Sequence, residues 1–327
     1  MRNEESPKMK SLIILEPLNH MYGVIKGAHR MGYKILALHS LPLSAPPPYE
    51  GAVECIDEKH EVEDWYDLEG ILKKVKEKFS QYDIVGTYAA AEITLFFEAY
   101  YRALHSIPGN SMRCIEQNLN KYNVRKCLIE KGLSKVKALN DREISELTSW
   151  PFSNGAYFKP INGSGSARVT RCGNIDDVIT ATKSWANKDE IGIPVLKAYI
   201  EKDDGYFLEE EIVGELMSLE CFTVNGVMHP LGLTSRTLLS RDKSIEMGAN
   251  FPYEHPLKEK IIEKVNAIHQ ALEIQHGATH SEVIVCEDGD IELVEINLRF
   301  GGADLLYITS LAYGQERWSR IFEQADN

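Results

Sequence analysis

The sequence has little of what would tie a protein to a membrane or a nucleic acid. No uninterrupted apolar run approaches the roughly 20 residues that a membrane span requires. The opening MRNEESPKMK also lacks the apolar core of a secretory signal, so the cytoplasm is the expected location and no membrane partner is expected. Positive charge is scarce: 36 Lys and Arg stand against 49 Asp and Glu, for a net charge of −13. Sequence-independent binding to nucleic acid or anionic lipid rests on Lys and Arg neutralising phosphates, so neither partner fits, and any phosphate must be held by a local arrangement. The cysteines (Cys55, Cys114, Cys127, Cys172, Cys221, Cys286) contain no C-x-x-C pair. That argues for reduced, packed thiols rather than a disulfide framework or a zinc site. After the first strand-like run the sequence reads LEPLNHMYG, not G-x-G-x-x-G, which disfavours a Rossmann-type NAD protein. What is present is an ordinary soluble composition over 327 residues, 43% hydrophobic and 26% charged, long enough for two or three domains with proper cores.

The order of apolar runs predicts mixed α/β and α+β architecture. Ser11–Leu15 and Lys34–Leu38 read as buried strands around a helix at Gly23–Met31, the pattern of a parallel sheet. From Trp65, apolar residues Leu68, Ile71, Leu72, Val75 and Phe79 recur at helical spacing, with Lys73, Lys74, Lys76 and Lys78 on a solvated opposite face. A strand at Asp83–Thr87 and a helix at Glu92–Leu104 complete an alternating domain over 11–108, behind a disordered start at 1–10. Asn120–Lys131 is predicted helical, ended by Gly132. Ala156–Ile161, Ala167–Cys172 and Val195–Ile200 read as strands around a helix at Asp176–Ala186, a compact α+β insert. Strands are then expected at Phe207–Val213, Leu219–Val224, Glu282–Cys286 and Ile291–Ile296, with a helix at Leu257–Leu272.

The segment LVEINLRFGG carries the most chemistry. Residues two apart on a strand share a face, so Glu295, Asn297 and Arg299 are expected to project together. The Asp288-Gly289-Asp290 turn predicts a hairpin that brings Glu282 beside Glu295. Two carboxylates and an amide oxygen are hard ligands of the kind Mg²⁺ takes beside nucleotide phosphates. Alone, E-x-N-x-R reads as a solvated face of alternating charge. Lys159 lies in the apolar strand YFKP, where a lysine requires a partner, and the following Gly163-Ser164-Gly165-Ser166 offers amides and hydroxyls to a phosphate, although most such loops are plain turns. The acidic run at Glu209–Glu211 suits an exposed edge equally well, and Lys121 by itself reads as a surface lysine.

In order, these elements resemble the ATP-grasp superfamily, in particular its carboxylate-amine ligase branch, including L-amino-acid ligases, and more distantly biotin carboxylase. PGNS followed by NKYNVRKCLIEKGL is similar to the family's junction, YFKPINGSGSARV to its lysine strand and glycine-rich loop, EEEI to its adenine hinge, and HSE with EINLRFGG to its metal-and-phosphate strands. The resemblance implies an ATP-grasp fold: an N-terminal Rossmann-like domain over 11–108, a central region over 109–205 with a small α+β lid at about 135–205, and a C-terminal domain over 206–327. It implies Lys121, Lys159, Gly163, Ser164, Gly165 and Ser166 on the nucleotide phosphates, and Glu209, Glu210, Glu211 and Ile212 at adenine. Glu282, Glu295 and Asn297 would hold Mg²⁺, with Mn²⁺ as a substitute, and catalytic Arg299 would hold a substrate carboxylate or acyl phosphate, a task suited to a guanidinium fork.

The implied reaction is ATP-dependent: a carboxylate becomes an acyl phosphate and an amine opens it, with ADP and phosphate released. A carboxylase-like enzyme and a nucleotide-binding regulator without turnover are the alternatives. Small carboxylate and amine substrates and a homodimer are the partners implied. The family's ribose-binding glutamate falls on Leu216 without a gap, with Glu215 one place early. Further substrate candidates are Arg236 in TSRT, His280 beside Glu282, Glu92 at a helix start, and Gly301 and Gly302; Arg236 and His280 read equally well as structural, and Glu92 as a helix-dipole partner. Asn19 and His20 follow the first strand, where α/β sheets tend to bind ligands.

Overall fold

The alternating signals of the first hundred residues become a wholly parallel sheet of β1 (Met9–Leu15), β2 (Lys34–His39), β3 (Glu58–Glu61) and β4 (Tyr82–Ala89), in spatial order β3-β2-β1-β4. The computed structural model describes residues 8–45, 47, 49–163, 165, 167–185, 194–202, 205–239, 242–302 and 305–314. Leu12–Leu15 and Ile35–Leu38 are buried throughout, as expected of parallel strands covered on both faces. Helix Tyr22–Arg30 buries Tyr22, Val24, Ile25 and Ala28, and helix Leu68–Phe79 buries Ile71, Leu72, Val75 and Phe79 while its lysines stay exposed. Asp67 caps the latter, its carboxylate accepting from the Gly70 amide at 3.0 Å. Two expectations change. Met9 and Lys10, assigned to the disordered start, belong to β1, because β4 extends far enough to pair them with Tyr82 and Asp83; residues 1–7 lie outside the described residues. The edge strand β3 has the sequence EKHE, with no apolar residue to reveal it.

These elements, with Gln275–Gly277 and Arg299–Asn327, form one of two compact units; the other comprises Arg113–Ile274 and Ala278–Leu298. The second unit contains two sheets. One is antiparallel, in order β5-β8-β6-β7, from β5 (Ala138–Asn140), β6 (Ala156–Pro160), β7 (Thr170–Cys172) and β8 (Tyr206–Glu210). The larger has the order β11-β10-β9-β12-β13, from β9 (Gly214–Val224), β10 (Val227–Leu239), β11 (Asp242–Tyr253), β12 (Gly277–Cys286) and β13 (Ile291–Asn297). Helix Lys258–Ala271 and its C-cap bury Ile261, Val265, Ile268 and Leu272, as the spacing predicts. Asn120 caps helix Lys121–Glu130 by accepting from the Asn123 amide at 3.0 Å, and Gly132 ends it at φ +70°.

The apolar stretch Val195–Ile200 is helical, within Pro194–Glu201, rather than a strand. A run this short does not separate a buried strand from a helix by periodicity, and proline at the first helical position favours the helix. Of Ala167–Cys172 only Thr170–Cys172 is strand, since Arg168 adopts a left-handed φ of +60°. The hairpin of β10 and β11 was not expected: Pro230, Gly232, Gly248 and Pro252 interrupt its pattern, and β11 is an edge. Among the described residues no helix is long and apolar enough to cross a membrane.

Candidate active site

A cavity in the second unit gathers most of the residues singled out in the sequence. Strand β6 alternates, burying Ala156 and Phe158 and presenting Tyr157 and Lys159 to the cavity. Glu209, Glu210, Glu211 and Ile212 line it from the end of β8 onward, and Lys121 lines it from a helix start fixed by the Lys121 amide donating to the Ile161 carbonyl at 2.9 Å. Glu282, Ile284, Val294, Glu295, Leu216 and Leu238 line it from the larger sheet. The cavity therefore combines two lysines and several carboxylates with a strip of aliphatic side chains.

The expected hairpin forms. Glu282 stands opposite Glu295, and His280 opposite Asn297, in the register of β12 and β13. Lys121 Nζ donates to Glu295 Oε1 at 2.6 Å and to the Gly163 carbonyl at 2.8 Å, tying the base of the glycine-rich loop to this carboxylate. Gly163 lines the cavity and Gly165 has φ +63°, a conformation that glycine tolerates; Ser164 and Ser166 lie outside the described residues. Two opposed carboxylates, with Asn297 two residues on along β13 but not among the residues that line the cavity, offer oxygen donors of the kind that Mg²⁺ takes. The Lys121 ammonium already places positive charge on one of them.

Lys159 Nζ donates to Glu209 Oε2 at 2.5 Å, and Glu209 Oε1 accepts from Arg125 Nε at 2.7 Å. Arg125, 2% exposed in its side chain, also donates to the Ser134 hydroxyl at 2.9 Å and to the Leu293 carbonyl, and stands 3.5 Å from Glu292. Burial pushes the Glu209 pKa up, but the charges and hydrogen bonds of Arg125 and Lys159 outweigh it and hold the carboxyl below its ordinary range. The Glu210 and Glu211 side chains are engaged too. Glu210 accepts from the Lys137 and Ser153 amides at 3.3 and 3.4 Å, and Glu211 from Arg171 Nη2 at 2.6 Å.

A second polar cluster lies along β9, β10 and β12. His280, 3% exposed, has Nδ1 at 2.8 Å from Glu220 Oε1 and Nε2 at 3.1 Å from Glu282 Oε1, while Arg236 Nη2 stands 3.0 Å from Nε2. Burial opposes the charged ring, but the two flanking carboxylates prevail and raise the His280 pKa to about 9. Glu282 is shifted the opposite way: burial pushes it up, but the His280 hydrogen bond and charge, with Arg236 and Lys121, carry it well below the usual carboxylate range.

Other expected residues go elsewhere. Strand β13 stops at Asn297, so the alternation does not carry Arg299 onto the face of Glu295 and Asn297. Arg299 belongs to the first unit, where its Nε donates to Glu92 Oε1 at 2.8 Å, its Nη2 also meets Glu92, and its Nη1 donates to the Phe300 carbonyl at 2.8 Å. Both side chains are under 10% exposed, so Glu92 is half of a buried ion pair. Gly301 and Gly302 follow in the same unit, and the Gly302 carbonyl accepts from the Leu305 amide at 3.3 Å. Glu215 is not brought into the cavity; it accepts from the Tyr253 hydroxyl at 2.9 Å and lies 3.7 Å from His255. His20 Nε2 is 3.1 Å from the Ala90 carbonyl, and the Asn19 side chain lies outside the described residues. The sequence reading missed Arg125, Glu220 and Glu292. The available signal was a charged residue among apolar neighbours, as in NVRKCL and MSLEC.

Residues 155–306, a little under half of the sequence, match the family model described as the ATP-grasp domain. That part of the chain is similar to the ATP-grasp domain. Solved structures extend the ATP-grasp fold to nearly the whole chain. The L-amino acid ligase from Bacillus licheniformis superposes with a TM-score of 0.71 at 21% identity, over 93% of this chain and 71% of that one. Phosphoribosylglycinamide synthetase from Anaerococcus prevotii gives 0.67 at 16%, over 98% and 75%. The biotin carboxylase domain of the Hydrogenobacter thermophilus 2-oxoglutarate carboxylase, in complex with MgADP and bicarbonate, gives 0.68 at 14%, over 98% and 71%. No curated protein matches the sequence. The parallel sheet and two antiparallel sheets agree with the α/β and α+β fold expected from the sequence.

Proposed function

We propose that this ATP-grasp protein is an ATP- and Mg²⁺-dependent ligase. It activates a small carboxylic acid, of the amino-acid class, as an acyl phosphate and joins it to an amine, releasing ADP and phosphate. The observation that carries this reading is the pairing of Glu282 with Glu295 in the wall of a cavity also lined by Lys121 and Lys159. The L-amino acid ligase likeness supports the substrate class, and the neighbour complexed with MgADP supports the nucleotide and metal.

In this reading Lys121 and Lys159 hold the nucleotide phosphates, taking phosphate oxygens where they now hold the carboxylates of Glu295 and Glu209. Gly163 and Gly165 of the glycine-rich loop offer their amides to the terminal phosphate. The strip of Leu216, Leu238, Ile284 and Val294 receives the adenine ring, whose polar edge meets the backbone at Glu209–Ile212. Glu282, Glu295 and Asn297 would hold Mg²⁺, which supplies charge neutralisation for phosphoryl transfer. Arg299, whose fork now holds Glu92, is the candidate to take a substrate carboxylate. No enzyme nucleophile is needed, because the substrate carboxylate attacks the γ-phosphorus and ADP leaves.

Lys159→Ala tests the nucleotide assignment. At constant Mg²⁺ its dissociation constant for ATP, measured by calorimetry, is expected to rise at least about tenfold, the scale of a lost charge-assisted contact. Unaltered affinity removes Lys159 from the site.

A further inference from the structure

Glu282 is held from behind. Ser218 and Glu220 alternate along β9, as His280 and Glu282 do along β12, so each pair shares one face of its strand. The Ser218 hydroxyl donates to Glu220 Oε1 at 2.8 Å; Glu220 clasps His280 Nδ1 with both oxygens, at 2.8 and 3.0 Å; and His280 Nε2 reaches Glu282 Oε1 at 3.1 Å. Arg236 approaches this chain from β10, with its Nη2 3.0 Å from His280 Nε2 and 3.9 Å from Glu282 Oε1. Glu220 and His280 are buried, at 6% and 3% exposure, and neither lines the cavity. They stand behind the lining residue Glu282, and a charged pair is an expensive way to fill a sheet face that apolar side chains would fill.

We infer that Glu220 and Arg236 are opposed positioning residues for Glu282: Glu220 orients His280 against it and offsets the positive charge of Arg236, setting how readily Glu282 accepts a divalent cation. The inference rests on the metal assignment of the proposed function. Its sign follows from charge. Arg236 and the His280 ring both bring positive charge to Glu282 and compete with a metal ion for it, and the Glu220 carboxylate, 2.8 Å from His280 Nδ1, counters that competition. Partners behind a ligating carboxylate typically change metal affinity by about 10–100-fold.

Mn²⁺ binding in the presence of saturating ADP, followed by the electron paramagnetic resonance of the free ion, tests this without turnover. Glu220→Gln keeps the shape and one acceptor and is expected to weaken Mn²⁺ binding about tenfold or more. Arg236→Gln is expected to tighten it. A merely structural cluster would weaken binding in both variants, or in neither, while lowering thermal stability; either result overturns the inference. Glu282→Gln separates it from the reading beneath it. If the wild type binds one Mn²⁺ that Glu282→Gln loses, the metal site stands and the two positioning variants decide. If the wild type binds none, or Glu282→Gln binds normally, the metal assignment falls and the inference falls with it.

Discussion

Arg125→Met removes the cation from between two buried carboxylates. The side chains of Arg125, Glu209 and Glu292 are 2%, 4% and 7% exposed, so water cannot replace the lost charge. Deleting one partner of a buried pair costs about 3–5 kcal/mol. Glu209 keeps Lys159 at 2.5 Å, and Glu292 keeps the Ser134 hydroxyl at 2.6 Å and the Lys135 amide at 3.0 Å, which puts the loss at the lower end, about 3 kcal/mol. At about 2–4 °C per kcal/mol for a unit of this size, the melting midpoint falls by about 6–12 °C. Circular dichroism melts at pH 7 measure it. Adding Glu292→Gln in the same chain should return part of the loss, because the second change removes the carboxylate that the first leaves with uncharged donors. The Glu209 carboxyl is held below its ordinary range, so its ionised form adds stability that is complete above that range and is lost as pH falls through the folded-state pKa. The gap between wild type and Arg125→Met therefore narrows in acid. A loss below about 1 kcal/mol, or strict additivity in the double variant, would refute this account of the network.

Burial raises the Glu98 carboxyl from 4.5 to about 7 against the pull of Arg102. The folded state then holds more protons than the unfolded one across that window, so this group makes stability fall as pH rises through it. Glu98→Gln removes that contribution and is expected to flatten the fall in urea-denaturation series between pH 5 and pH 8; identical slopes contradict it. A Cβ on Gly214 would lie 2.1 Å from the Val285 carbonyl oxygen and 2.8 Å from its carbon, backbone that can move only with the strand. Gly214→Ala is expected to cost about 1–3 kcal/mol, and an unchanged midpoint in a thermal melt contradicts that.

The opposed glutamates were legible because two local signals agree. Alternation puts Glu282 and Glu295 on defined faces, and the Asp288-Gly289 turn sets the register, with Gly289 at φ +77° and the Cys286 amide bonded to the Asp290 carbonyl at 2.9 Å. The helix Leu68–Phe79 was legible for the same reason, since its apolar period persists over three turns. What could not be read are features fixed by partners distant in sequence. Glu92 and Arg299 were each singled out, but their pairing joins residues 207 positions apart. Arg125 meets Glu209 and Glu292 only after three elements have packed, and Glu220 meets His280 only when β9 and β12 lie side by side. Arg299 was misplaced because the two-residue period was carried past Asn297, where the strand has already ended.

The most direct test of the central claim is phosphate release from ATP and Mg²⁺, screened across pairs of amino acids and other small carboxylates and amines, with Glu295→Gln as the blank. Release that requires a particular carboxylate and amine, yields ADP in equal amount and vanishes in Glu295→Gln is the predicted result. ATP that binds without any pair stimulating release would point to a nucleotide-sensing protein, and turnover that persists in Glu295→Gln would contradict the metal site on which the account is built.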